Sequence, residues 1–181
     1  GFSETSAFED LKVMQFNNSI ENEKSIIRSR TIMESVVDSL NVDVVYQSIG
    51  SLTGITKRDL YGREPISMTL KSNSNNEIDE KSINFQFGVK IIDNNKLRIQ
   101  DIKGNYLKDV LFDKSFTFNS KKYKIEIKKT KIFNKAWFGK TIQISKYKRD
   151  NIVSNLMSQT DVEQLVSNGS ILEIKLRNPS S

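Results

Sequence analysis

The 181-residue chain contains no histidine and no cysteine, only two prolines, and no long run of apolar residues. Without histidine or cysteine there can be no Ser-His or Cys-His nucleophile pair and no zinc site built from nitrogen and sulfur ligands. No side chain titrates near neutral pH at its ordinary pKa. Most hydrolase mechanisms are therefore excluded, and we expect no catalytic residue, no metal site and no cofactor here.

The apolar runs are too short to cross a membrane, because a transmembrane helix needs about 20 consecutive apolar residues. No segment has the charged start and apolar centre of a secretory signal peptide. A chain of this length can still bury a substantial core without disulfides. The missing cysteines therefore do not identify a cellular compartment.

Apolar and polar residues alternate through the middle of the chain. From Ile83 to Ile91 every second residue is apolar, which is the period of a strand with one buried face. Further alternating segments follow, separated by turn residues such as those at 93–95 and 103–105. Short strands at this spacing predict an antiparallel, β-rich, sandwich- or barrel-like unit over residues 65–148.

The segment before this unit has the pattern of a helix that leads directly into a strand. Asn18 followed by Glu21 matches a helix N-cap and its partner, which predicts a helix from Ser19. Its apolar residues fall on one stripe. The helix is expected to end near residues 39–41, immediately before a strand that begins at Val42.

The segment after residue 148 returns to helical spacing. A short helix is predicted near residues 152–157, followed by a hairpin with its turn at Asn168-Gly169. Leu172, Ile174 and Leu176 are expected to face the core. The sequence therefore predicts an α+β fold. A helix-plus-strands α/β base, residues 2–64 together with 149–181, is interrupted by the antiparallel β-rich insert at residues 65–148.

The stretch NKAWFGKT, residues 134–141, ends like a phosphate-binding loop. Asn134 stands where such a loop needs its first glycine. The following residues alternate like a strand, whereas a phosphate loop requires a helix N-terminus at that point. The pattern favours a hairpin turn.

Positive charge is concentrated between Lys121 and Arg149. This segment has 11 lysines and arginines, and Glu126 is its only acidic residue. Aromatic residues such as Trp137 and Tyr147 are interleaved with the charges, a pattern suited to nucleic acid. Acidic glycans or anionic lipid headgroups would match it equally. The simplest explanation is that alternate strand positions are solvated and filled by lysine.

The segment ENEKSIIRSRTIMESVVDSLNVDVVY, residues 21–46, begins as a charged helix and ends as a strand. Three further segments accompany it, namely SAFEDLKVM at 6–14, DLYGREPISM at 59–68 and SILEIKLRNPSS at 170–181. In this order they resemble the Wzz/Wzc chain-length-determinant family, the polysaccharide co-polymerases of bacterial inner membranes. The likeness is greatest to the exopolysaccharide-transport tyrosine kinases of Bacteroides-like organisms. It covers both flanks, whereas residues 71–148 match only in being β-rich.

The resemblance implies a Wzz-like base that faces the periplasm. The parent protein would carry two transmembrane helices and a cytoplasmic tyrosine kinase domain outside this segment. It would form homo-oligomeric rings that meet the polymerase and export machinery and influence glycan chain length. This piece is then expected to be a non-catalytic scaffold and interaction domain at the periplasmic face of the inner membrane, without a nucleic-acid partner.

Charged residues on the solvated side of the predicted helix are candidates for contacts between subunits. Glu23, Arg28 and Arg30 have this position. The alternative for these residues is an ordinary solvated face, which contributes almost nothing to stability.

Two other classes of function stay open. The first is a binding module whose basic β insert holds an acidic glycan or a nucleic acid. The second is an enzyme with paired carboxylates, as in glycosidases, although no acidic residue has a recognisable catalytic context.

Overall fold

The computed structural model of the chain describes residues 4–50, 56–71, 82–118, 123–166 and 170–177. The chain divides into two compact units. The terminal unit combines Gly1–Asn41 with Asp150–Ser181, and the β unit consists of Val42–Arg149. Within the described ranges, no helix has both the length and the apolar character that a bilayer crossing needs.

The described residues form three α-helices and eleven strands. The helices are α1 (Glu4–Ile27), α2 (Arg30–Leu40) and α3 (Arg149–Gln159). The strands are β1 (Val44–Ile49), β2 (Lys57–Asp59), β3 (Ile66–Lys71), β4 (Phe85–Ile91), β5 (Lys96–Gln100), β6 (Tyr106–Leu111), β7 (Phe116–Phe118), β8 (Tyr123–Lys129), β9 (Thr141–Lys146), β10 (Thr160–Gln164) and β11 (Leu172–Leu176).

The first helical segment of the terminal unit is longer than predicted and is divided in two. Asn18 and Glu21 lie inside α1, so the predicted start at Ser19 is wrong. The break is at Ser29, which has an extended backbone and accepts a hydrogen bond from the Ile32 N–H at 3.4 Å. Ser29 is thus the N-cap of α2, because its hydroxyl satisfies an amide that lacks a partner within the helix.

Helix α2 ends at Leu40, as the sequence predicts, but a turn at residues 41–43 separates it from β1, so the predicted strand start at Val42 is two residues early. Asn41 adopts a left-handed conformation, with φ of 49°, and closes the helix. Asparagine tolerates this region of backbone space better than most residues. Met33 and Val37 of α2 are buried, whereas Leu40 at the end of the predicted stripe is exposed.

The hairpin of the terminal unit is made by β10 and β11. Val162 pairs with Ile174, and Thr160 pairs with Leu176, so each pair shares one face. Helix α1 packs against β10, and Val162 and Thr160 are buried. Ile174 and Leu176 are exposed, so their predicted core positions are wrong. The predicted turn at Asn168-Gly169 lies outside the described residues.

The β unit contains two antiparallel sheets around one apolar core. The larger sheet has the strand order β2-β1-β9-β4-β5-β6, and the smaller has the order β3-β8-β7. The strand predicted from Ile83 is confirmed as β4, and its residues Phe87, Val89 and Ile91 are fully buried. Ile125 and Ile127 of β8 join them from the smaller sheet. The alternating pattern thus places one face of each sheet against the other.

With eleven strands against three helices, the described part of the chain is mainly β. The predicted α+β class with a Wzz-like α/β base is therefore wrong. Residues 42–64, assigned above to the base, contain β1 and β2, and β1 pairs with β9 along its whole length. The reason is that Val44 and Tyr46 alternate so that their side chains pack on the core of the β unit.

Candidate functional site

A cleft of about 820 Å³ opens at one end of the six-stranded sheet of the β unit. Three neighbouring strands form its floor. Thr141 at the start of β9 pairs with Ile49 of β1 on one side and with Lys90 of β4 on the other. Side chains that are directly opposite in an antiparallel sheet point to the same face. Strand β2, the turn after it and the turn before β9 form the remaining walls.

Two local turns give the walls their shape. Gly62, in the turn after β2, has φ of 71°, and its N–H donates to Glu64 Oε1 at 2.8 Å. Gly139, in the turn before β9, has φ of 78°, and its N–H donates to the Ile91 carbonyl at 2.7 Å. Glycine suits both positions because a side chain would strain this left-handed backbone.

Four cationic side chains line the cleft. Arg58 and Arg63 lie in β2 and the turn after it, Lys90 in β4, and Lys140 immediately before β9. Among the residues that the structure describes, no carboxylate forms a salt bridge with any of the four. The cleft is therefore strongly positive and open to an external anion.

Some cations elsewhere in the β unit have carboxylate partners. Hydrogen bonds from Arg98 and Lys96 lower the pKa of Asp109 to about 2. Hydrogen bonds from Lys71 and Lys128 likewise lower the pKa of the buried Glu126. These acidic residues partly neutralise the faces that they occupy, whereas in the cleft a single carboxylate accompanies the four cations.

Two aromatic side chains border the same cleft. Trp137 is half-buried, and the Lys140 Nζ atom lies 5.0 Å from the centroid of its ring. Tyr61 is 70% exposed, although aromatic side chains are usually buried for much of their area. The cleft thus offers ring faces as well as charge.

One acidic side chain lies among the cations. Asp59 lines the cleft and accepts a hydrogen bond from Gln47 Nε2 at 2.8 Å. A single carboxylate cannot supply the acid and base pair that glycoside hydrolysis requires. Across the described ranges, no three acidic side chains come together as a cluster able to hold a metal ion.

The stretch at 134–141 contributes to the cleft without forming a phosphate loop. Residues Lys135–Trp137 form a short 3-10 helix, whose first turn is capped by Asn134. Strand β9 then begins at Thr141, so no α-helix follows the glycine. The segment joins β8 of the smaller sheet to β9 of the larger one, so the predicted hairpin turn is wrong.

The predicted subunit-contact residues lie in the terminal unit. Glu23 is exposed in α1, and Arg28 is exposed in the break before α2. Arg30, the first residue of α2, donates from Nε to Glu34 Oε1 at 2.8 Å and from Nη2 to Asp150 Oδ1 at 2.6 Å. Arg30 therefore joins the start of α2 to the start of α3, and its role between subunits stays a prediction.

Only part of the cleft is evident in the sequence. Trp137 and Lys140 belong to the basic, aromatic segment, whereas Arg58, Tyr61 and Arg63 carry no predicted role. The available signal was the stretch KRDLYGR at 57–63, where cations flank an aromatic residue and a turn glycine. No family model matches the chain, and no curated protein matches it.

Proposed function

We propose that this chain is a non-catalytic scaffold and interaction domain in a bacterial system that exports polysaccharide and sets its chain length. The observation that carries the proposal is the positively charged cleft, with four cations that lack a carboxylate partner among the described residues. Such a surface favours contact with a polyanion, and its single carboxylate disfavours acid-base catalysis.

The choice of a polysaccharide system is supported by the resemblance of four segments, in order, to chain-length-determinant proteins. On this proposal the domain belongs to a larger, membrane-anchored homo-oligomer with a cytoplasmic tyrosine kinase. It faces the periplasm and meets the polymerase and export machinery. None of these features depends on an α/β base.

Location is the first test, because reporter fusions within this segment can be made in the full-length parent protein. Activity of a periplasmic reporter is expected at sites in the β unit, and exposed turns such as Lys103-Gly104 are suitable insertion points. A matched fusion in the kinase domain of the parent should report the cytoplasm. Cytoplasmic activity from the β unit would rule out the proposed role.

The subunit-contact hypothesis is tested separately by charge reversal. Arg28→Glu is the informative variant, because Arg30→Glu would also place a carboxylate beside Glu34 and Asp150. We expect Arg28→Glu to weaken ring assembly or change glycan length while thermal unfolding stays unchanged. Normal assembly and normal glycan length would exclude Arg28 as a contact.

A nucleic-acid-binding module is the second candidate, favoured by the combination of basic and aromatic side chains in the β unit. Binding of this kind weakens steeply with salt, because the polymer's counterions are released on association. Cytoplasmic reporter activity together with salt-dependent binding to single-stranded DNA would support it. Periplasmic activity would exclude it.

A further inference from the structure

The residues that line the cleft indicate more about its ligand than the net charge does, because cations, aromatic rings and a carboxylate occur together. The arginines are able to bind carboxylates in a bidentate manner, as Arg98 does with Asp109 in this same unit. Arg58 and Arg63 have no such partner among the described residues. A ligand with carboxylate groups would supply it.

Asp59 distinguishes between possible polyanions. A carboxylate that lines the cleft repels the negative groups of any polyanion, and a DNA strand, with a phosphate on every residue, has no internal hydroxyl to offer it in compensation. The same carboxylate accepts hydrogen bonds from hydroxyl groups. Ser48 and Thr141 line the cleft as well, and the Ser48 hydroxyl, which donates to the Arg58 carbonyl at 3.4 Å, can still accept a hydrogen bond. These groups favour a ligand whose residues carry hydroxyls as well as negative charges.

The aromatic side chains fit the same kind of ligand. A sugar ring has an apolar C–H face, and packing this face on Trp137 or Tyr61 removes apolar area from water. Lys140, held beside the indole ring, would then lie near a carboxylate at the edge of the sugar. Phosphatidylglycerol and phosphatidylethanolamine headgroups have no comparable ring.

We infer that the cleft binds an acidic saccharide, a sugar chain whose rings carry carboxylate groups. Arg58, Arg63, Lys90 and Lys140 hold the carboxylates, Trp137 and Tyr61 pack against the rings, and Asp59 accepts from ring hydroxyls. The inference rests on the proposed function in one respect, because it takes the polyanion to be a polysaccharide.

The test uses the 181-residue protein and three probes at equal monomer concentration. Oligogalacturonate is the acidic saccharide, a dextran oligosaccharide is the neutral control, and oligothymidylate is the nucleic-acid control. Trp137 is the only tryptophan in the chain, so its fluorescence reports directly on the cleft. Calorimetric titration provides a second readout that does not depend on the indole. We expect saturable binding of oligogalacturonate and none of dextran.

Variants locate the binding site. Arg63→Gln and Lys140→Gln are each expected to weaken oligogalacturonate binding about tenfold or more, as loss of a charge-assisted hydrogen bond does. Lys103→Gln is the matched control, because Lys103 is exposed in the turn beyond the far end of β5 and should leave the Kd unchanged.

Asp59→Asn separates hydroxyl recognition from charge. The asparagine carbonyl still accepts from Gln47, so the local structure is kept while the negative charge is lost. The same carbonyl can accept from a ring hydroxyl, so hydroxyl recognition predicts that Asp59→Asn still binds the saccharide, whereas Asp59→Ala, which removes the acceptor as well, binds it more weakly than the wild type. Unchanged or tighter binding by Asp59→Ala would overturn this part of the inference.

Different results would contradict the saccharide-binding cleft and the proposed function. Binding of oligogalacturonate that the cleft variants leave unchanged would overturn the cleft as the site and leave the proposed function standing. Equal binding of dextran, or binding of oligothymidylate alone, would overturn the acidic saccharide as the ligand. Reporter location in the parent protein tests the proposed function independently of all these outcomes.

Discussion

Replacement of Phe87 by alanine tests the placement of the core of the β unit. Phe87 is fully buried in β4, and its ring centroid lies 4.9 Å from that of Phe118 and 5.8 Å from that of Phe85. Phe118 belongs to the smaller sheet, so Phe87 connects the two sheets through their aromatic side chains. Truncation leaves a cavity between them, because the surrounding rings relax only in part.

The expected loss in the free energy of unfolding is about 3–5 kcal/mol. A domain of about 100 residues has a total stability of roughly 5–15 kcal/mol, so Phe87→Ala removes a large fraction of it. At about 4–8 °C per kcal/mol for a domain of this size, the Tm should fall by at least about 12 °C.

Urea unfolding followed by Trp137 fluorescence is the appropriate assay, because Trp137 lies in the β unit. Ile102→Ala is the matched control, since Ile102 is 62% exposed and its truncation should cost no more than about 0.5 kcal/mol. If Phe87→Ala lowers the free energy of unfolding by less than about 1.5 kcal/mol, the placement of Phe87 in the core is refuted, because a buried cavity would cost more. Equal losses for the two variants would refute it as well.

Three further variants test local interactions. Ser29→Ala should lower stability by about 1 kcal/mol in thermal unfolding followed by circular dichroism, and an unchanged transition would contradict its role as the α2 cap. Arg98 and Lys96 lower the pKa of Asp109 from 3.8 to about 2, so its contribution to stability should be lost as pH falls from about 5 to 2. Asp109→Asn should flatten this acid dependence in urea titrations, and an unaltered slope would exclude Asp109 as its source. Burial raises the pKa of Tyr46 to about 12, so Tyr46→Phe should remove a component near pH 12 from a tyrosine absorbance titration, and loss of a component at lower pH instead would show that Tyr46 ionises earlier.

The alternating strands were predictable because their signal is local. In β4 each inward residue is large and apolar, and the outward residues are polar or glycine, so the pattern itself gives the buried face. Ile125 with Ile127, and Ile142 with Ile144, follow the same rule. A strand that packs one face against a core therefore shows a two-residue hydrophobic period in its sequence.

The helix boundaries were harder because several residues compete as caps. Asn18 and Glu21 form a plausible capping pair, yet they lie within α1. Ser29 is the residue that interrupts the helix, and its neighbours Arg28 and Arg30 give no local sign of a break. Choice among caps is decided by which turn the surrounding structure stabilises, and single-sequence patterns do not contain that information.

The fold class and the cleft depend on pairing between distant residues. Val44–Ile49 has the pattern of a strand, but no neighbouring residue indicates that this strand pairs with β9. The same pairing brings Ile49 beside Thr141 and thereby creates the floor of the cleft. Arg58 and Lys90 become neighbours of one cavity only through this register, so their common role was not visible in the sequence.

The long-range pairing of β1 also has a consequence for the order in which the chain folds. Val44 meets Lys146, and Ile66 meets Lys129, so both sheets close over long sequence separations. Domains with such high contact order typically fold in milliseconds to seconds, because loop closure must precede the favourable contacts. During synthesis, β1 cannot complete its pairing with β9 until residue 146 has emerged from the ribosome. Folding of the terminal unit can be completed only later, because β10 and β11 follow the whole β unit in the chain.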